Sequence, residues 1–214
     1  MSLTNGYDVY AAISDRGIQK FLESIARARP HYFKYSSLRG NIPTSDITII
    51  PPIPVPGTNQ NIDYSMILAT PQVRFYPDQF SPAPPTPLPI ALNQFGLMLQ
   101  ATLCVLSGSV ATPTAICAPL DIWAVGHPET RKIGADLMIS LNVDQVQVSG
   151  AGGLSALLEY VFQAILNGLL SKTQFPAKSL AQGALPIAVA RGPEIDGEPT
   201  GTPPGQLKVW GGLV

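Results

Sequence analysis

The longest regular pattern of hydrophobic positions lies towards the C-terminal end of the chain, in residues 154–171. Apolar residues recur there at i, i+3, i+4 and i+7, the spacing of one helix face, for roughly five turns. These residues are Leu154, Leu157, Leu158, Val161, Phe162, Ile165, Leu166, Leu169 and Leu170. Ser155, Glu159, Gln163, Asn167 and Ser171 form a polar stripe between them. The pattern predicts a long amphipathic helix that the rest of the chain wraps, with one edge in water.

A second helix is predicted near the N-terminal end, directly after a strand at residues 7–13. Ser14 is a good N-cap, and Asp15 then lies at the positive end of the helix dipole. Pro30 ends the helix. Its apolar face consists of Ile18, Phe21, Leu22, Ile25 and Ala26.

The middle of the chain alternates apolar and polar residues over unusually long stretches. In residues 92–106, one side carries Phe95, Leu97, Leu99, Ala101, Leu103 and Val105. Residues 115–125 predict its antiparallel partner, followed by a turn at 126–129. Residues 136–148 predict a third long strand, whose alternation shifts phase after Asp144 as at a β-bulge. Strands of this length predict a strongly twisted, curling antiparallel sheet.

Proline-rich segments and shorter strands fill the rest. Residues 46–56 predict an edge strand or extended segment, and 62–76 a further strand. Residues 77–89 predict a surface connector, 192–205 a loop, and 206–210 a last strand. No repeat or break in composition divides the chain. We therefore predict one α+β domain over 1–214: a long, strongly curled antiparallel sheet wrapped around a long C-terminal amphipathic helix, with a second N-terminal helix.

Charge is sparse, at 13% of residues with a net charge of −1. This argues against a basic face for nucleic acid and against a polybasic membrane patch. Glu159 and Asn167 lie in the middle of the long helix and argue against a membrane span, so at most transient membrane contact is expected. No leader is recognisable, which predicts a cytoplasmic protein, or one secreted without a recognisable signal peptide.

The two cysteines, Cys104 and Cys117, fall on neighbouring predicted strands. Without a signal peptide, two reduced thiols are the favoured interpretation. A cross-strand disulfide is the alternative, because the two positions can lie opposite one another.

The sequence contains no pattern typical of a catalytic or cofactor site. The glycines at 150–153 lack the sixth-position glycine and the later acidic residue of a dinucleotide fingerprint. His31 and His127 have no metal-ligand spacing to each other or to a cysteine. The carboxylates are scattered. We therefore expect no enzyme activity, no cofactor and no metal.

The order of these elements resembles the tubular lipid-binding (TULIP) superfamily. The likeness is carried by residues 12–18 at the strand-to-helix opening, by the helix 154–170, and by 183–187 and 205–209 after it. The resemblance implies lipid or another apolar small molecule bound along a groove, with no catalytic residues. The implied lining is Ile18, Phe21, Leu22, Ile25, Leu97, Leu99, Leu158, Val161, Phe162, Ile165 and Leu169. The alternative is a structural or assembly component with a packed core that forms a homo-oligomer or binds a protein partner.

Overall fold

A computed structural model of the chain describes residues 6–38, 46–54, 59–109, 112–133, 136–150, 152–177, 187–196 and 205–213. The helices are α1 (Asp15–Ala28) and α2 (Ser155–Leu170), with short 3-10 turns at Pro30–Tyr32 and Gly152–Leu154. The first strands are β1 (Val9–Ser14), β2 (Lys34–Ser36), β3 (Thr48–Ile49), β4 (Ile53–Pro54), β5 (Asn61–Leu68) and β6 (Gln72–Phe75). The later strands are β7 (Phe95–Ser109), β8 (Thr112–Ile133), β9 (Asp136–Ser149), β10 (Phe175–Pro176), β11 (Ile187–Asp196) and β12 (Gln206–Leu213).

The large sheet runs in the order β10-β9-β8-β7-β5-β2-β3, with β6 also paired to β7 and β4 to β5. All these pairs are antiparallel except β2–β3. The long central strands β7, β8 and β9 curl the sheet strongly, because the right-handed twist accumulates along each strand. The α+β class and the curled, mostly antiparallel sheet are confirmed.

A smaller sheet, β1-β12-β11, joins the two ends of the described chain. Asn93 ties it to the start of β7. The Asn93 amide donates to the Ile195 carbonyl (2.7 Å), and the Ile195 amide donates to Asn93 Oδ1 (2.8 Å). Asn93 has a φ of 61°, a left-handed conformation that asparagine tolerates better than most residues. One residue therefore makes the turn through its backbone and links the sheets through its amide hydrogen and its side chain.

Both helices begin and end close to the predicted positions. The Gly17 amide donates to Ser14 Oγ (3.3 Å), so Ser14 caps α1 as predicted. Helix α1 buries Ile18 and Leu22, and it contacts β6 and β1. Helix α2 packs on β9 through Leu158, Phe162, Leu166, Leu169 and Leu170. We call the side of the large sheet that these helices cover the inner face, and the opposite side the outer face.

One continuous cluster of buried side chains joins both helices, the inner face and the small sheet. A second cluster lies on the outer face, where Phe80, Leu88 and Ile90 cover Trp123 and Val125. The connector at residues 77–89 is therefore more than a surface linker: two of its apolar side chains pack onto the sheet.

Three of the predicted boundaries are wrong, each for a physical reason. The predicted strand at 62–76 divides into β5 and β6 at Pro71, which has no amide hydrogen for the ladder. The predicted turn at 126–129 is the middle of β8, because Gly126 is paired on both sides. A Cβ there would collide with the Asn142 carbonyl oxygen, so this glycine serves close packing. The predicted loop at 192–205 begins later, since β11 continues to Asp196.

The predicted bulge after Asp144 is confirmed. Val125 pairs with Gln145 and the next residue, Gly126, pairs with Val143, so Asp144 is the extra residue. Its insertion explains why the inward residues change from Val143 to Val146 and Val148.

Candidate functional site

The residues predicted to line a groove meet in one apolar interior. Seven of them are buried in the main cluster: Ile18, Leu22, Leu97, Leu99, Leu158, Phe162 and Leu169. Ile25 and Ile165 are partly buried and pack against that cluster. Val161 is partly buried, and Phe21 is 37% exposed. The predicted set therefore spans the interior and its border.

The polar stripe of α2 faces the sheet, which the sequence analysis did not predict. Asn167 Oδ1 accepts from the Val143 amide (2.7 Å), and Asn167 Nδ2 donates to the Val143 carbonyl (3.1 Å). Gln163 Nε2 donates to the Asp144 carbonyl (2.9 Å), and Glu159 Oε1 accepts from the Val148 amide (3.4 Å). The stripe residues keep partial contact with water, and they also supply hydrogen-bond partners to this part of β9.

The opposite side of α2 is apolar and open to solvent. Tyr160 is 73% exposed, and Leu157 is the other large exposed side chain of the helix. Ala156, Ala164 and Gly168 are exposed beside them. The sheet therefore covers one side of α2 and does not enclose it.

An aromatic seam joins α1 to the segment that follows α2. The Phe21 ring meets the Phe175 ring edge to face, with centroids 6.2 Å apart. Lys172 Nζ lies 4.8 Å from the centre of the Tyr32 ring. Since α1 contacts β6 and α2 contacts β9, the helices cover different parts of the inner face and approach one another at this seam.

Beyond the helices, β7 and β8 continue as an arm, residues 102–109 and 112–119, and β5 pairs with the β7 side of this arm as far as Leu106. On its inner face Leu103 is opposite Ala118, and Val105 is opposite Ile116. Val105 is 44% exposed and Ile116 is 76% exposed. The sequence contains no charged residue from Phe95 to Leu120. The arm therefore extends the apolar inner face into solvent.

A disulfide between Cys104 and Cys117 crosses this arm between directly opposite residues. The favoured prediction of two reduced thiols is wrong, and the cross-strand alternative is correct. The close approach of the two strands (Cα–Cα 4.0 Å) places the thiols within bonding reach. Disulfides are typical of proteins in oxidising compartments, which favours the secreted alternative for localisation.

Two pockets open on the described surface. One, of about 290 Å³, is lined by Asp15, Arg16, Gln19, Gln72, Val73 and Arg74. The other, of about 250 Å³, lies on the outer face and is lined by Ala69, Thr70, Gln72, Pro82, Met98, Leu99, Gln100, Asp121 and Trp123. Of the second group, the sequence analysis assigned a role to Leu99 alone, as part of the implied lipid lining. The only sequence signal for this pocket was the alternation of the long strands, which turns Met98 and Gln100 away from the inner face.

Titratable groups form no recognisable catalytic centre in the described ranges. No group of three or more His, Cys, Asp or Glu side chains there has the geometry to hold a metal ion. His127 Nδ1 lies 2.9 Å from the Asp144 carboxylate at the bulge. Burial raises the pKa of Tyr35 to about 12 and also raises the pKa of Tyr64. Neither phenol lines a described pocket.

Neither described helix combines the length and apolarity that a membrane crossing requires. No protein-family model matches the chain, and no curated protein matches it. Of the segments that resemble the TULIP superfamily, the strand-to-helix opening, the long helix and the closing strand are present. Residues 183–186 lie outside the described ranges. The described chain therefore has an α+β fold in which two helices pack on a curled, mostly antiparallel sheet.

Proposed function

We propose that the chain is a non-catalytic protein that binds lipid or another elongated apolar ligand against the inner face of its sheet, as in the TULIP superfamily. The observation that carries this proposal is the continuity of the inner face. Buried Phe95, Leu97 and Leu99 are followed along the same side of β7 by the partly exposed Leu103 and Val105. An acyl chain lying along this side passes from the open arm towards the covered interior.

The energetics favour such a ligand. Each buried methylene contributes about 0.8 kcal/mol, so eight methylenes on the arm would contribute about 6 kcal/mol. The uncharged arm adds no desolvation cost for buried ions. Binding of a ligand to the arm also breaks no backbone hydrogen bond between strands, because the arm is already exposed.

The first experiment is native mass spectrometry of the purified protein, followed by organic extraction and uptake of a fluorescent fatty acid. Ile116→Gln places a polar group on the exposed inner face of the arm, and we expect it to reduce uptake. Ile67→Gln is the matched control. Ile67 is 55% exposed and pairs with Thr102, so it lies on the outer face. Phe162→Gln is a poorer test, because Phe162 is fully buried and its loss destabilises the core.

Stoichiometric lipid, with uptake lost only in Ile116→Gln, would support the proposal. A protein that carries no lipid and takes up no fatty acid would overturn it. Equal loss in both variants would also overturn it, because the outer face would then matter as much as the inner face.

A second candidate function is that of a structural or assembly component. The solvent-exposed side of α2 favours it. This side presents Leu157 and Tyr160 without a charged neighbour on the helix, since Glu159 binds β9. The test is sedimentation velocity over a wide concentration range. Self-association that Tyr160→Glu removes would support assembly through α2, whereas a monomer at all concentrations would count against self-association.

A further inference from the structure

The outer-face pocket combines an apolar wall with a row of polar side chains. Cross-strand pairing places Gln72, Met98 and Trp123 in one row across β6, β7 and β8, and Gln100 with Asp121 in the next row. Directly opposite residues share one face of a sheet. These five side chains therefore form one surface, with Thr70 and Pro82 at its border.

The apolar wall is held in place by the connector. Trp123 Nε1 donates to the Pro82 carbonyl (3.1 Å). Phe80, Leu88 and Ile90 pack around the same tryptophan. Met98 and Pro82, together with the 5% of Trp123 that stays exposed, thus present a preformed apolar surface to the pocket.

The polar side is also partly preformed. Gln100 Nε2 donates to Asp121 Oδ1 (3.1 Å), which orients the carboxylate. Four polar side-chain groups of the pocket take part in no hydrogen bond within the described ranges. They are Asp121 Oδ2, Gln100 Oε1, the side-chain amide of Gln72 and the Thr70 hydroxyl. The pocket therefore offers both donors and acceptors, and a single negative charge.

We propose that this pocket binds one neutral sugar ring. A sugar presents hydroxyls that both donate and accept, which matches the carboxylate, the two amides and the hydroxyl. Its C–H face packs against the Trp123–Met98–Pro82 wall. The Asp121 charge opposes phosphates and carboxylates. The volume of about 250 Å³ is below the roughly 300–1,000 Å³ of sites for drug-sized ligands, so it suits a single ring. This inference is independent of apolar binding on the inner face.

The test is saturation-transfer NMR of the full chain with the neutral methyl glycosides of glucose, galactose, mannose and N-acetylglucosamine. Asp121→Ala and Gln100→Ala remove exposed polar groups from the pocket. Asp78→Ala and Gln145→Ala are the matched controls, because both residues are exposed and neither lines the pocket. We expect at least one glycoside to bind. Asp121→Ala should weaken it about tenfold or more, as loss of a hydrogen bond to a charged group implies, and Gln100→Ala should weaken it by roughly two- to tenfold, as loss of a neutral hydrogen bond implies.

Binding that the pocket variants weaken and the control variants leave unchanged would support the inference. The absence of saturation transfer from all four glycosides would overturn it. Binding that Asp121→Ala leaves unchanged would also overturn it, as would capture of a small amine such as choline in place of every glycoside. Circular dichroism of each variant verifies that its fold is retained.

Discussion

The contact between α2 and the edge of β9 gives the sharpest prediction. Asn167→Leu keeps a side chain of similar length but removes the donor to the Val143 carbonyl and the acceptor from the Val143 amide. The Val143 amide then loses its partner at a half-buried site, whereas the Val143 carbonyl keeps the Gln163 Nε2 donor (3.3 Å). We expect the helix to stay folded and its attachment to β9 to weaken.

The magnitude follows from the Val143 amide. A buried backbone group without a partner costs about 1–3 kcal/mol, and partial access of water to this site favours the lower half of that range. Leucine recovers a few tenths of a kcal/mol through its higher helix propensity. The free energy of unfolding should therefore fall by about 1–2 kcal/mol, a sizeable share of the roughly 5–15 kcal/mol that stabilises a typical protein.

The assay is urea denaturation together with amide hydrogen exchange. With a slope of about 2 kcal/mol/M, the midpoint should fall by roughly 0.5–1 M, and the Val143 amide should lose its protection. Ala164→Leu is the control, because it adds leucine to the exposed side of the same helix. An Asn167→Leu protein with an unchanged midpoint and a protected Val143 amide would refute the reasoning.

Three further predictions concern other parts of the chain. Gly168→Ala should raise the free energy of unfolding by about 0.5–1 kcal/mol, since Gly168 is an exposed helical residue whose added Cβ would contact nothing; thermal denaturation measures this. Reducing the bond between Cys104 and Cys117 should lower that free energy by up to about 3 kcal/mol, and denaturation with and without reductant would show it. The pKa of Tyr35 is about 12 in the folded protein against 10.0 for the free phenol, so its contribution of about 2–3 kcal/mol is complete below pH 10 and disappears as pH rises towards 12. Denaturation at pH 9 and pH 11.5 should show a smaller loss for Tyr35→Phe than for the wild type, because the raised pKa of Tyr64 remains in both proteins, and equal pH dependence of the two would contradict it.

Local signals predicted much of the fold because the forces behind them are local. The hydroxyl of Ser14 caps the next turn whatever the rest of the chain does. The change of phase after Asp144 reports the bulge directly, because alternation fixes which side chains point inward. The apolar period of residues 154–171 predicted α2 almost to the residue.

The errors arose where distant parts of the chain decide the outcome. Gly126 has the composition of a turn, but pairing with both neighbouring strands holds it inside β8. The direction in which Asn167 points depends on the unpaired edge of β9, which no helical pattern reveals. The pairing of Cys104 depends on strand register, and register is set by the whole sheet.

The candidate sites also divide into features that local patterns predict and features that distant parts of the chain decide. Period-two alternation predicted that Leu97 and Leu99 point inward with the helices. It did not predict the outer-face pocket, since that site requires Pro82 from a connector without any periodicity. Ile116 lies on the strand predicted as the partner of β7, but its exposure depends on where the helices end.

The pairing of β1 with β12 has a consequence for how the protein is made. Ser14 pairs with Gln206, and closing the loop of roughly 190 residues between them costs about 4–5 kcal/mol of chain entropy. During vectorial synthesis on the ribosome, β1 emerges early and remains without this partner until β12 has been translated. The nascent chain therefore carries an unpaired strand edge while the roughly 190 residues between β1 and β12 are translated, which makes β1 a target for a chaperone and a site of aggregation if translation stalls there.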